Sequence, residues 1–227
     1  MESLIHLTTT RLDISFVVGI LSKFMEKSCK GHWSTAKRVL RYLKGTQDVG
    51  LKYSKVDEFK LIGYSNSDFD GDKETKVSTF GYTMSLGSAA VSWRSRKQSV
   101  SVDSKTEAEY VAAAEATKEI VWLGKILEDL QEKQENSTPL LVDNTSAIKL
   151  AKNPRFHDRT KHINTKYHLI RHHVEAKTVH LVFDIVPQMI KLQTSSPKRL
   201  DEKSLKDSET CLDLLTPLRI KGGIVGI

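Results

Sequence analysis

Glu109 is the residue whose position asks most for a chemical explanation. Steps of three and four from it reach Ala112, Ala113, Ala116, Ile120, Leu123, Leu127 and Leu130, so it heads the apolar stripe of a helix predicted over residues 105–131. Burying a lone carboxylate is expensive without a cation or strong hydrogen bonds, and a metal ion is the natural partner. Glu107 has a structural post instead, because Ser104-Lys105-Thr106-Glu107 fits a capping box. Asp143 ends the short apolar run Leu140-Leu141-Val142, just ahead of a helix starting near Thr145. Ligands of α/β sheets gather at the carboxyl ends of such strands. Asn144 can serve as the helix cap, which leaves Asp143 for a metal. Asp68 is the third candidate ligand: on a strand over 61–69, period two puts Ile62, Tyr64, Asn66 and Asp68 on one face. Asp70 and Asp72 read as a solvated turn around Gly71.

A second region is rich in base and histidine. Lys152, Arg155, Arg159, Lys161, Lys166, Arg171 and Lys177 stand against only Asp158 and Glu175, and six of the eight histidines lie between His157 and His180. No closed four-ligand spacing with cysteine is present, which argues against zinc. A surface facing nucleic-acid phosphate fits better, with Arg155, Arg159, Lys161, His162 and Arg171 as its contacts. His168, His172 and His173 read equally well as polar faces of a helix. A further basic face, Lys37, Arg38, Arg41 and Lys44, lies on a helix predicted over 32–44; it is either solvated or set against phosphate.

These residues need a frame. Residues 3–28 carry helical spacing with a stripe of Ile14, Val17, Val18, Leu21 and Met25, and Asp13 is a candidate cap. The second helix, 32–44, is closed by Gly45. Strands are expected over 61–69, 81–86 and 89–94, the last two joined tightly through Gly87-Ser88 as a hairpin. The long helix follows, then a strand over 139–142, helices over 145–152 and 163–176, and a last strand over 179–183. Three antiparallel strands followed by strand–helix units predict an α/β fold with a mixed five-stranded sheet and packed helices. The expected organisation is a small helical segment (1–50), an α/β domain (51–185) and a degenerate or poorly ordered tail (186–227).

Composition bounds the setting. The 227 residues are 39% hydrophobic and 28% charged, with a net charge of +7, a balance that suits a polyanionic partner. Two distant cysteines, Cys29 and Cys211, make neither a disulfide framework nor a zinc set, and point to a reducing compartment. The longest apolar run, residues 14–21, is too short to span a bilayer and lacks the features of a signal peptide. The expectation is a soluble intracellular protein, cytoplasmic or nuclear, with no membrane partner.

The motifs Arg38-Val39-Leu40-Arg41-Tyr42-Leu43-Lys44-Gly45-Thr46, Gly63-Tyr64-Ser65, Ala90-Val91-Ser92-Trp93-Arg94-Ser95-Arg96-Lys97-Gln98, Thr106-Glu107-Ala108-Glu109-Tyr110, Asp143-Asn144-Thr145-Ser146-Ala147-Ile148 and Arg159-Thr160-Lys161-His162-Ile163 resemble, in order and spacing, the C-terminal part of a copia-type retrotransposon Pol polyprotein. Residues 3–50 resemble the end of its reverse transcriptase and residues 60–183 its RNase H domain. The chain opens with Met1 almost directly on this segment, which reads as a truncated copy of an element. The resemblance implies an RNase H-like fold, magnesium (or manganese) as cofactor, and hydrolysis of the RNA strand of an RNA–DNA hybrid. By motif, the family's first three catalytic acids fall on Asn66, Glu109 and Asp143; the fourth, which follows the last strand, has no clear match, and Asp201 stands as a candidate. Asn66 retains a carbonyl oxygen but lacks the charge needed to offset repulsion between two divalent ions. The expectation is an RNase H-type ribonuclease with impaired activity, or else a catalytically inactive nucleic-acid-binding relic.

Overall fold

The computed structural model describes residues 1–56, 59–69, 77–99, 102–152 and 164–184. Asp70, Asp72, Arg155, Arg159, Lys161, His162 and Asp201, and the segment 186–227, lie outside the described residues. Five strands form one mixed sheet: β1 (Leu61–Asp68), β2 (Thr79–Leu86), β3 (Ala89–Lys97), β4 (Thr138–Val142) and β5 (Val179–Phe183). Their spatial order is β3-β2-β1-β4-β5. β1 pairs antiparallel with β2, and β2 with β3; β1 pairs parallel with β4, and β4 with β5. This is the mixed five-stranded sheet predicted from the order of elements, and the RNase H-like layout that the resemblance implies.

The long helix α4 (Lys105–Asp129) packs on β1, β2 and β4, with α5 (Thr145–Lys152) and α6 (Asn164–Glu175) beside it. The core lies between α4 and the sheet face that carries Leu61, Tyr82, Met84 and Leu140. Gly63 sets how closely α4 approaches. A Cβ built there would lie 2.9 Å from Ile120 Cδ1 and 3.1 Å from both Leu140 Cδ1 and Met84 Sδ. By strand alternation, Gly63, Ser65 and Ser67 therefore face α4, and Ile62, Tyr64, Asn66 and Asp68 face the other way.

Ahead of the sheet come α1 (Glu2–Leu7), a 3-10 turn (Leu12–Ile14), α2 (Ser15–Lys23) and α3 (Lys30–Gly45). They enclose a separate apolar cluster that includes Ile14, Val18, Leu21 and Val39. Arg11 staples this unit. Its guanidinium donates to Asp13 Oδ2 at 2.6 Å, to Thr46 O at 3.0 Å and to Thr46 Oγ1 at 2.8 Å, and Tyr42 donates to the same Asp13 oxygen at 2.9 Å. Burial, then Asp13, pushes the Tyr42 phenol up to about 12. The unit rests on the sheet through Trp93 of β3, whose Nε1 donates to Thr8 O at 3.0 Å.

Several local expectations need correction. Residues 3–28 are not one helix but two with a 3-10 turn between them, and the second ends at Lys23, so Met25 is 54% exposed rather than part of the stripe. Asp13 caps nothing; it is the carboxylate that Arg11 and Tyr42 share. Gly45 is the last residue of α3 and is not among the positive-φ residues. Gly87 is, with φ 61°, and makes the tight β2–β3 turn. Among the described residues no helix is long and apolar enough to cross a membrane.

Gly63→Val should lower the unfolding free energy by about 1–3 kcal/mol through overpacking. Gly50→Val is the control, since its Cβ would meet nothing within 4 Å. Urea denaturation of both variants checks this; equal midpoints would show that α4 is not held so close to β1.

Candidate active site

Three elements carry the acids to one end of the sheet. The parallel ladder pairs Ser65 with Val142, so the next residues, Asn66 on β1 and Asp143 after β4, sit side by side at the carboxyl ends of neighbouring strands. Asn144 accepts from the amides of Ser146 and Ala147 at 2.9 and 3.1 Å. It therefore caps α5. Glu109 comes from the first turns of α4. Ser104 caps that helix by accepting from the Glu107 amide at 3.2 Å. Glu107 reaches back to the Asp103 amide at 3.0 Å, one residue before the capping position expected for it.

Glu109 is completely buried, and neither carboxylate oxygen makes a hydrogen bond of ordinary geometry. Its carboxyl is pushed up to about 8, first by burial and next by the charge of Asp143; Asp68 adds in the same direction, while the Ser67 backbone and Lys105 oppose. That balance places Asp143 and Asp68 within electrostatic reach of Glu109. One oxygen of Asp68 and one of Asp143 are buried without a hydrogen bond, although both residues are engaged through other interactions. The hydroxyls of Ser65 and Ser67, on the strand face that meets α4, are also buried without partners. Asn66 is 8% exposed.

A divalent cation suits the Glu109–Asp143 side of this cluster, since positive charge would relieve a buried carboxylate that lacks a well-formed hydrogen bond. Asn66 can contribute only a neutral amide oxygen. Among the described residues no group of three or more His, Cys, Asp or Glu side chains is placed to hold a metal ion.

Asp184 was not among the residues expected at the site. It directly follows β5, and its amide donates to Val142 O at 3.4 Å, beside Asp143. Its charge adds to burial in raising the pKa of Tyr64, the residue two before Asn66 on the same strand face. The signal was available: Asp184 is the first residue beyond the last predicted strand, the same position relative to β5 that Asp143 holds relative to β4. Arg171 lies half-buried on α6 and is engaged there.

Glu109 carries a pH signature. Its folded-state value of about 8 lies above the ordinary 4.5, so between these limits the folded state holds a proton that the unfolded state has lost. Stability should fall as pH rises through this window, by up to about 1.4 kcal/mol per pH unit. Urea unfolding between pH 5 and 8 in chelator checks the slope. Glu109→Gln should flatten it; an unchanged slope would place the titration elsewhere.

No family model matches the chain. A retrovirus-related Pol polyprotein from transposon RE2 of Arabidopsis thaliana is 41% identical over 180 residues, covering 79% of this chain and 12% of that protein. The chain thus spans about an eighth of the length of the transposon relatives it matches. Secreted RxLR effector protein 161 of Plasmopara viticola is 48% identical over 117 residues, covering 52% of this chain and 82% of that protein. Among solved structures, LC11-RNase H1 in complex with an RNA/DNA hybrid is 15% identical with a TM-score of 0.41, covering 57% of this chain and 86% of that one.

Proposed function

Because the chain belongs to the retrovirus-related Pol polyproteins of transposons, we propose that residues 61–184 are an RNase H-like module that binds an RNA–DNA hybrid and cleaves it poorly. The observation that carries this reading is the neighbourhood of Glu109: a buried carboxylate without a well-formed hydrogen bond, within electrostatic reach of Asp143, at the end of the sheet where position 66 carries an amide. Glu109 and Asp143 would hold one divalent ion, magnesium or manganese, with Asp184 as the acid that follows the last strand. Such an ion, when bound, supplies Lewis-acid stabilisation of charge on phosphate and sharpens a water nucleophile.

The chain's own residues set the limits. Asn66 matches aspartate in shape, so the strand packs as it would with the acid. It differs in charge, so it does not offset the repulsion between two cations a few ångströms apart. The basic residues Arg155, Arg159, Lys161, His162 and Arg171 are proposed to contact the nucleic-acid backbone, which requires no intact acid set. Binding therefore survives where cleavage is lost.

One observation favours residual activity. Asp68 stands two residues beyond Asn66 on the same strand face and acts on Glu109 electrostatically. It is the nearest substitute for the missing charge.

Cleavage of a labelled RNA–DNA hybrid in magnesium, then manganese, tests both readings. Asn66→Asp should raise the rate by about 100-fold, equivalent to ~3 kcal/mol of charge stabilisation. Adding Asp143→Asn should abolish the gain. If the unaltered protein already cuts as fast as Asn66→Asp, impaired cleavage is ruled out. Loss of that activity in Asp68→Asn would then assign the charge to Asp68.

A further inference from the structure

The outward face of α3 has no role in the acid cluster, and its chemistry is uniform. Lys30, Trp33, Lys37, Leu40, Arg41 and Lys44 recur at helical spacing on one stripe, opposite the buried Thr35, Ala36 and Val39. All six are exposed, Trp33 by 63% and Leu40 by 52%. The helix contains no acid. None of its stripe cations forms an ion pair among the described residues; Lys37 Nζ lies 5.3 Å over the Trp33 ring instead. Leaving tryptophan in water is costly, and a solvated helix face ordinarily mixes charge signs. A stripe of one charge sign with an aromatic ring in it is complementary to a partner that offers both phosphates and flat π-faces.

We propose that this face of α3 binds single-stranded nucleic acid, with a base stacked on Trp33 and phosphates held by Lys30, Lys37, Arg41 and Lys44. Unpaired bases are required, because a duplex keeps its π-faces inside the stack. The stripe from Lys30 to Lys44 is ~21 Å long at 1.5 Å per residue, about six nucleotides of a stacked strand. Lys37 already occupies a cation–π position on the ring and can exchange it for a phosphate as the base arrives. The surface is built on the N-terminal helical unit, so it is independent of whether the site around Glu109 cleaves anything.

Fluorescence anisotropy of the full chain with a labelled oligodeoxythymidine of about a dozen nucleotides tests the proposal. Trp33→Ala should weaken binding about tenfold and Trp33→Phe should retain most of it. The triple variant Lys30→Gln/Lys37→Gln/Lys44→Gln should lower the slope of log affinity against log salt by about two. Thermal midpoints should not move, since these side chains are exposed. Unchanged affinity and salt slope in the variants would overturn the proposal. So would Trp33-dependent binding to anionic phosphatidylserine vesicles with oligonucleotide binding unaffected, which would make the face a membrane contact. Cleavage of a blunt-ended hybrid by Asn66→Asp, measured in parallel, reports on the acid cluster alone and separates the two outcomes.

Discussion

The close approach of α4 to β1 at Gly63 governs the rest of this structure. A Cβ there would press on the side-chain ends of Ile120, Leu140 and Met84, which converge on that point. The contact fixes the height and axis of the helix above the sheet. Ile120 and Glu109 are three turns apart and share a helix face, so the packing that seats Ile120 drives Glu109 into the sheet near Ser67. Its burial follows from the core, and its perturbed acidity follows from its burial. The apolar stripe thus stores electrostatic cost at the point where charge chemistry is placed.

The second constraint is the double nature of β1. It is antiparallel to β2 on one side and parallel to β4 on the other. The parallel side brings Asn66 level with Asp143, and the next parallel pairing brings Asp184 to the same end of the sheet. Replacing an aspartate by asparagine at such a position changes little in volume, since amide and carboxylate share a shape. The strand can therefore keep its register and its burial, while the end of the sheet carries one negative charge fewer.

Much of this was legible in sequence because period and punctuation agreed. The stripe from Glu109 through Ile120 to Leu127 marked both the long helix and its odd carboxylate, and Asn144 announced the cap that releases Asp143. The failures were of another kind. A continuous apolar pattern over residues 3–28 hid the 3-10 turn, because the break is made by Arg11, Asp13, Tyr42 and Thr46 meeting across the chain. Period reasoning sees neighbours along one element and cannot see a partner three dozen residues away. Asp184 was missed for a related reason: its place depends on β5 lying next to β4, a tertiary fact.

The Arg11 staple has a consequence for the order in which the chain acquires structure. Every partner in it lies within the first 46 residues, so the knot joining Arg11, Asp13, Tyr42 and Thr46 can be tied as soon as that stretch has left the ribosome. β1 is not so fortunate. Its antiparallel neighbour arrives soon, but its parallel neighbour must wait until Leu140 has been synthesised. Until then β1 lacks its β4 partner, whereas every partner of the staple has been made; the hydrogen bond from Trp93 to Thr8 waits on β3.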